Sequence, residues 1–261
     1  MKKVLLLAAI CLAVTTAFAQ DFSRYKKEMF TSGKDTLRYR ILYPENYQTG
    51  KAYPVLVFLH GSGERGRDNE AQLSHGADLF LKKEVRDKFQ SIIIFPQCPP
   101  DSAWSYFESK YDADGNERDL SFPFRKQPRK PERMVKQLTD SLIGIGVADK
   151  KRIYIGGLSL GGFGTYDLLI RYPNYYAAAF SICGACNVEL MSKKGKHQPL
   201  WIFHGAKDDV VSPAFDRDLY ASLKKKNKEV KCTEYPDANH NSWDPAFAEP
   251  ELLTWLFSFT K

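Results

Sequence analysis

One serine stands out for its surroundings. Gly157-Leu158-Ser159-Leu160-Gly161 directly follows an apolar, β-branched stretch, Arg152 to Ile155, and precedes a helical pattern over 160–171. A serine placed between strand and helix must sit on a sharp turn that lifts its Oγ clear of the sheet. Glycines two residues to either side, with Gly156 and Gly162 beside them, remove the β-carbons that would collide in such a turn. The helix beginning just after the serine points its positive end at any anion formed there. This is the arrangement of a nucleophile.

A serine hydroxyl needs a base to become nucleophilic, normally a histidine oriented by a carboxylate. Of the five histidines, His197, His204 and His240 follow Ser159 in the chain, as the order Ser, acid, His requires. His197 lies in a lysine-rich loop and reads as solvated. His204 ends a strand just before an acid and reads as structural. His240, in Ala238-Asn239-His240-Asn241-Ser242-Trp243 before the last helical pattern, is the best base. The acid should follow the strand Leu200 to Phe203, where Asp208 and Asp209 compete. Asp208 is preferred, because a double acid often has one member capping the turn or the next helix. The oxyanion requires backbone N–H donors. Leu160 supplies one, and Ser62, with Gly61 second, supplies the other from His60-Gly61-Ser62-Gly63-Glu64-Arg65-Gly66. Glu64 and Arg65 are expected to form an ion pair that shapes this loop.

The elements that must hold these residues alternate regularly. Residues 26–43 read as two strands joined near Ser32-Gly33-Lys34-Asp35. Val55 to Leu59, Ile92 to Phe95, Arg152 to Ile155, Ala177 to Ile182 and Leu200 to Phe203 are short apolar runs, the pattern of strands buried on both faces. Helical patterns occupy about 68–83, 132–146, 160–171, 213–227 and 245–258. That alternation predicts an α/β fold, a mostly parallel central sheet with helices on both faces. In such sheets chemistry gathers at the carboxyl ends of the strands, where the candidate residues fall. Residues 99–131 break the rhythm with Trp104, Tyr106, Phe107, Tyr111, Phe122 and Phe124, and read as a cap or substrate-contacting insertion. Asp112, Asp114 and Asn116 suggest a calcium loop only superficially, since Gly115 is misplaced and no glutamate closes the loop.

The remaining features bound the setting. Lys2 and Lys3, the apolar run Val4 to Val14 and Ala17-Phe18-Ala19 form a signal-peptide pattern over 1–19, too short for a membrane span. The expectation is a secreted or periplasmic chain of residues 20–261 forming one catalytic domain. The net charge is +7, including the two leader lysines. The runs at 193–196 and 224–228 read as solvated, and no nucleic-acid module accompanies them. Cys98, Cys183, Cys186 and Cys232 could oxidise outside the cell, but sequence does not separate the three possible pairings. Cys183-Gly184-Ala185-Cys186 has no second pair at zinc-site spacing, so neither a metal nor another cofactor is expected.

His60 to Gly66 with Asp68-Asn69, Phe95-Pro96-Gln97-Cys98-Pro99, Gly156 to Gly162, His204-Gly205-x-x-Asp208 and His240-Asn241-Ser242-Trp243 together resemble the secreted bacterial esterases of the α/β-hydrolase superfamily. The resemblance is to the phospholipase/carboxylesterase and feruloyl-esterase-like branch, related to dienelactone hydrolases and prolyl-oligopeptidase catalytic domains. It spans about residues 37–258 and implies the α/β-hydrolase fold, with Ser159, Asp208 and His240 as the triad. It also implies that Gln97 and Trp104 border the substrate cleft, and Trp243, close to His240 in sequence, is a further substrate-binding candidate. The expected activity is hydrolysis of a carboxylic ester, small or polysaccharide-linked, with acyl groups such as ferulate or acetate. The competing readings are a prolyl-oligopeptidase-like peptidase, disfavoured because no propeller domain fits, and a non-catalytic binding protein on the same fold.

Overall fold

The computed structural model describes residues 21–111 and 117–261. The signal-peptide pattern of residues 1–19 and the Asp112-to-Asn116 stretch lie outside them. Ten strands are present among the described residues: β1 (Lys26–Ser32), β2 (Asp35–Leu42), β3 (Tyr53–Leu59), β4 (Ile92–Gln97), β5 (Glu108–Tyr111), β6 (Glu117–Ser121), β7 (Ala148–Leu158), β8 (Ala178–Ile182), β9 (Leu200–Gly205) and β10 (Val230–Tyr235). The helices are α1 (Lys83–Lys88), α2 (Lys130–Gly144), α3 (Leu160–Arg171), α4 (Val188–Lys194), α5 (Ala214–Leu223), α6 (Trp243–Phe247) and α7 (Leu252–Phe257). Eight strands form one sheet in the order β1-β2-β4-β3-β7-β8-β9-β10. The β1–β2 and β2–β4 pairs are antiparallel, and every other pair is parallel.

The period of two along each strand sorts side chains to two faces. Val55, Val57 and Leu59 join Leu200 and Ile202 beneath α2, α3, α4 and α5. Leu56 and Phe58 join Phe180, Trp201 and Phe203 on the other face, where Phe80 and the α7 residues Leu252, Leu253 and Leu256 cover them. Both faces of the central strands are therefore dry. That is why their sequences are continuously apolar rather than alternating.

Several boundaries differ from the sequence expectation. The pattern at 68–83 forms two 3₁₀ turns, Ala71–Leu73 and Leu79–Leu81, before α1. Gly76 lies between them at φ +78, a conformation no helix continues through. The pattern at 245–258 is split into α6 and α7, with Pro250 in the gap unable to donate to a preceding carbonyl. β4 runs past Pro96 to Gln97, because its ladder with β3 ends at Ile94 and only the antiparallel ladder with β2 continues. α4 and β10 carry no expectation in the sequence. Among the described residues no helix is long and apolar enough to cross a membrane.

Candidate active site

Ser159 caps β7 and starts α3 with φ 52 and ψ −118, a backbone region that non-glycine residues rarely enter. Its N–H donates to the Ile182 carbonyl at 2.8 Å, which ties the turn to the end of β8. The flanking glycines are needed because backbone passes where their β-carbons would be. A Cβ on Gly157 would strike the Gly161 carbonyl, and one on Gly161 would strike the carbonyl of Leu59 at the end of β3. The elbow is wedged between two strand ends, and the Ser159 side chain remains partly open to solvent.

His240 reaches it from the loop after β10. Its Nε2 lies 3.0 Å from Ser159 Oγ and its Nδ1 2.9 Å from Asp208 Oδ2. Asp208 follows β9 and is buried, with Oδ1 accepting from the N–H groups of Val210 and Val211, both at 2.9 Å. Burial alone would raise this carboxyl. Hydrogen bonds from His204, His240 and the Val211 N–H outweigh it and hold the group well below the usual carboxylate range. Asp209, the rival acid, is exposed. The structure thus brings together the three residues picked out from sequence.

His204, expected from sequence to be structural, is buried among partners that the sequence does not reveal. The ring is 1 % exposed. Its Nδ1 faces Asp216 Oδ2 at 2.7 Å, while Nε2 faces the Val211 carbonyl at 2.9 Å and Asp208 Oδ2 at 3.2 Å. Asp216 is buried on α5 and accepts at Oδ1 from the Tyr166 hydroxyl at 2.6 Å. Burial opposes a charge on His204, but its bonds to Asp208 and Asp216 win and push it up to about 10. Burial also pushes Asp216 up, against the bonds from His204 and Tyr166. The close Nδ1–Oδ2 contact holds one proton between the two groups.

The loop after β3 crosses Ser159, since a Cβ on Gly61 would fall 3.7 Å from Ser159 Cβ. Leu160 opens α3, so its N–H belongs to the first turn, where helices leave donors without intrahelical partners. Ser62 stands exposed on the crossing loop with its carbonyl held by Arg65 Nε at 2.9 Å. The expected Glu64–Arg65 pair does not form. Glu64 instead faces His75 at 3.6 Å, and Arg65 spends its donors on the Ser62 and Ser102 carbonyls. His60 fixes the loop from below, its Nδ1 donating to the Gly61 carbonyl at 2.6 Å and its Nε2 accepting from the Cys98 N–H at 2.9 Å. Burial lowers it to about 4, so it stays neutral in that tautomer.

Gln97 and Trp104 are corrected by their burial. Gln97 is 2 % exposed, accepting from the Asn69 N–H at 2.8 Å and donating to Asp68 Oδ1 at 2.8 Å. Trp104 is 0 % exposed, donates to the His60 carbonyl at 3.0 Å and abuts Gly164. Neither side chain offers surface to a ligand. Both brace the loop over Ser159. Trp243 is half-buried, edge-on to His240 with centroids 5.7 Å apart, and 4.9 Å from the His75 ring. It walls a cleft of about 300 Å³ lined also by His75, Asp78, Lys82, Asp244 and Phe247.

The described part of 99–131 includes the antiparallel pair β5–β6. Phe122 meets Phe163 edge-on at 5.0 Å and Phe107 does so at 5.7 Å. Phe163 lies one turn beyond Ser159, to whose carbonyl its N–H donates. The insertion therefore hangs on α3, the helix that Ser159 opens. Cys98, Cys183, Cys186 and Cys232 are free thiols. Cys183, Asp208 and His240 bring ligand-type atoms within 4.8 Å of one another. Asp208 and His240 already engage each other there, and burial pushes the Cys183 thiol well up, away from the thiolate a metal needs.

This sheet, with a serine elbow at its centre, is the α/β-hydrolase fold. A family model described as Phospholipase/Carboxylesterase matches residues 46–249, and the chain belongs to that family. A bifunctional acetylxylan esterase/xylanase of Neocallimastix patriciarum is 30 % identical over 129 residues, 49 % of this chain and 19 % of the relative. Mouse lysophospholipase-like protein 1 is 27 % identical over 209 residues, 74 % of this chain and 82 % of its own length. Among solved structures, a thermostable esterase superposes with a TM-score of 0.78 at 30 % identity, covering 92 % of this chain and 64 % of that one. The chain thus spans less than two thirds of the bifunctional enzyme and of the thermostable esterase.

Proposed function

We propose that this protein is an exported carboxylesterase working through Ser159, His240 and Asp208, and that it removes acyl groups such as ferulate or acetate from polysaccharides. One observation carries the catalytic reading: His240 spans Ser159 Oγ at 3.0 Å and Asp208 Oδ2 at 2.9 Å in a single orientation. In the reaction Ser159 Oγ attacks the ester carbonyl while His240 Nε2 takes its proton. Asp208 holds Nδ1–H, which fixes the tautomer and stabilises the imidazolium. The oxyanion forms against the N–H groups of Leu160 and Ser62. His240 returns the proton to the departing alcohol, and water then cleaves the acyl-enzyme along the same path.

The signal-peptide pattern supports export. The aromatic insertion on α3 and the polar cleft beside Trp243 support a substrate with a bulky acyl group or a hydroxylated alcohol. The likeness to an acetylxylan esterase/xylanase supports the polysaccharide. Ser159→Ala should abolish hydrolysis of p-nitrophenyl acetate and labelling by a fluorophosphonate. Retained turnover in the folded variant would end this reading.

A further inference from the structure

Asp208 Oδ2 receives two histidines, not one. His240 Nδ1 stands 2.9 Å away and His204 Nε2 3.2 Å away. We propose that His204 is a positioning residue for the esterase reaction: a buried imidazolium, clamped between Asp208 and Asp216, that fixes the Asp208 carboxylate against His240 and offsets part of its charge. The inference rests on the triad proposed above and concerns how its acid is tuned.

The protonation state follows from what the ring faces. The Val211 carbonyl can only accept, so Nε2 must carry a hydrogen. Nδ1 faces Asp216 Oδ2 while Oδ1 accepts from the Tyr166 hydroxyl, and a carboxylate accepting at both oxygens places the second hydrogen on Nδ1 in the arrangement proposed here. A neutral ring would instead accept at Nδ1 from an Asp216 that keeps its own proton, and the ring-nitrogen spectra below separate the two arrangements. The charged and titratable groups around it are Asp208 on its own loop, Asp216 on α5, Tyr166 on α3, and Glu234, its register partner on β10. Cys183 and Cys186, beyond β8, adjoin the two aspartates, and burial keeps both as thiols.

The consequence concerns the base. Asp208 stabilises protonated His240 through the oxygen that also faces His204. A cation on that oxygen weakens the hold, so His240 releases its proton at lower pH than beside an uncompensated carboxylate. Asp216 lies on the far side of the ring, so the positive end of the His204–Asp216 pair points at the triad.

His204→Gln and His204→Asn remove the charge. In each, the acidic limb of kcat/KM for p-nitrophenyl acetate should move up by about one pH unit, the order expected for losing one neighbouring charge. A merely structural role would lower kcat/KM at every pH and leave the limb in place, and that result overturns the proposal. Imidazole ¹⁵N spectra of the unaltered protein test the same claim without relying on a variant's folding. At about pH 8, where free imidazole is neutral, both His204 nitrogens should carry protons. A single ring proton there also overturns the proposal. Ser159→Ala separates the layers. If it stays active, the triad reading has failed; if it is inactive while the limb is unmoved in the His204 variants, only the clamp has failed.

Discussion

Changing Asp208 to asparagine replaces one carboxylate oxygen by an NH₂ group, and the surrounding hydrogen bonds dictate how the amide must lie. Oδ1 of Asp208 accepts from two backbone N–H groups, those of Val210 and Val211. An asparagine in this place must keep its oxygen there, because turning the NH₂ toward them would oppose donor to donor twice. The NH₂ then occupies the position of Oδ2 and faces His240 Nδ1. His240 can meet it only by presenting the Nδ1 lone pair, which moves its proton to Nε2, the nitrogen 3.0 Å from Ser159 Oγ. The base is then occupied by the hydrogen it was meant to accept. Triads trapped in that tautomer lose about 10⁴ in kcat, equivalent to about 5 kcal/mol of barrier. The assay is kcat and KM on p-nitrophenyl acetate at neutral pH, with Asp209→Asn as the control, because Asp209 is exposed and should change kcat less than about twofold. A loss under tenfold for Asp208→Asn, or equal losses for the two variants, would refute the argument.

Three further outcomes follow from burial and packing. His60 is lowered to about 4 by burial, so between about pH 6.5 and 4 the unfolded chain binds a proton the native state refuses. Stability should fall as pH drops through that window, by up to about 3 kcal/mol from this group. Denaturant melts of His60→Gln should show a shallower acid slope, and identical slopes would contradict the assignment. Gly161→Ala drives a Cβ into the Leu59 carbonyl, and should cost about 3 kcal/mol of stability in the same melts; a cost below about 1 would show that the elbow can yield. Trp104→Phe deletes the bond to the His60 carbonyl, and should cost about 1–3 kcal/mol while KM changes less than about twofold. A large rise in KM with little loss of stability would return Trp104 to the substrate cleft.

The strands that lie between two helical layers were legible because burial on both faces leaves no room for polar residues. β3, β4, β7, β8 and β9 all appear as apolar runs for that reason. β10 was not, because it is an outermost strand whose pattern, Val-Lys-Cys-Thr-Glu-Tyr, is mostly half-exposed. The polar hairpin β5–β6 and the seven-residue α4, started by Asn187 accepting from the Leu190 N–H, were too short or too hydrophilic to show a period. Chain order and turn chemistry singled out Ser159, Asp208 and His240, because an elbow leaves glycines where backbone must pass. Side-chain direction is not written that way. Gln97 and Trp104 sit in the right loops yet turn inward, and the pairing of His204 with Asp216 depends on a helix meeting a strand end, which no local spacing encodes.

Gly205 is what lets the segments bearing Asp208 and His240 lie against each other. A side chain there would collide with the Asn239 and Ala238 carbonyls, so the strip bearing His240 lies flat on the end of the strand leading to Asp208. Lys207 N–H and Ala206 N–H bind that strip at Ala238 and Tyr235, both at 2.9 Å. Asp208 and His240 therefore sit on directly bonded segments, while the Ser159 turn is tied separately to β7, to β8 and to the end of β3. Heat or denaturant that loosens the centre should first part the Ser159 hydroxyl from an intact Asp208–His240 couple, so that turnover by the proposed triad is lost before the imidazole loses its carboxylate.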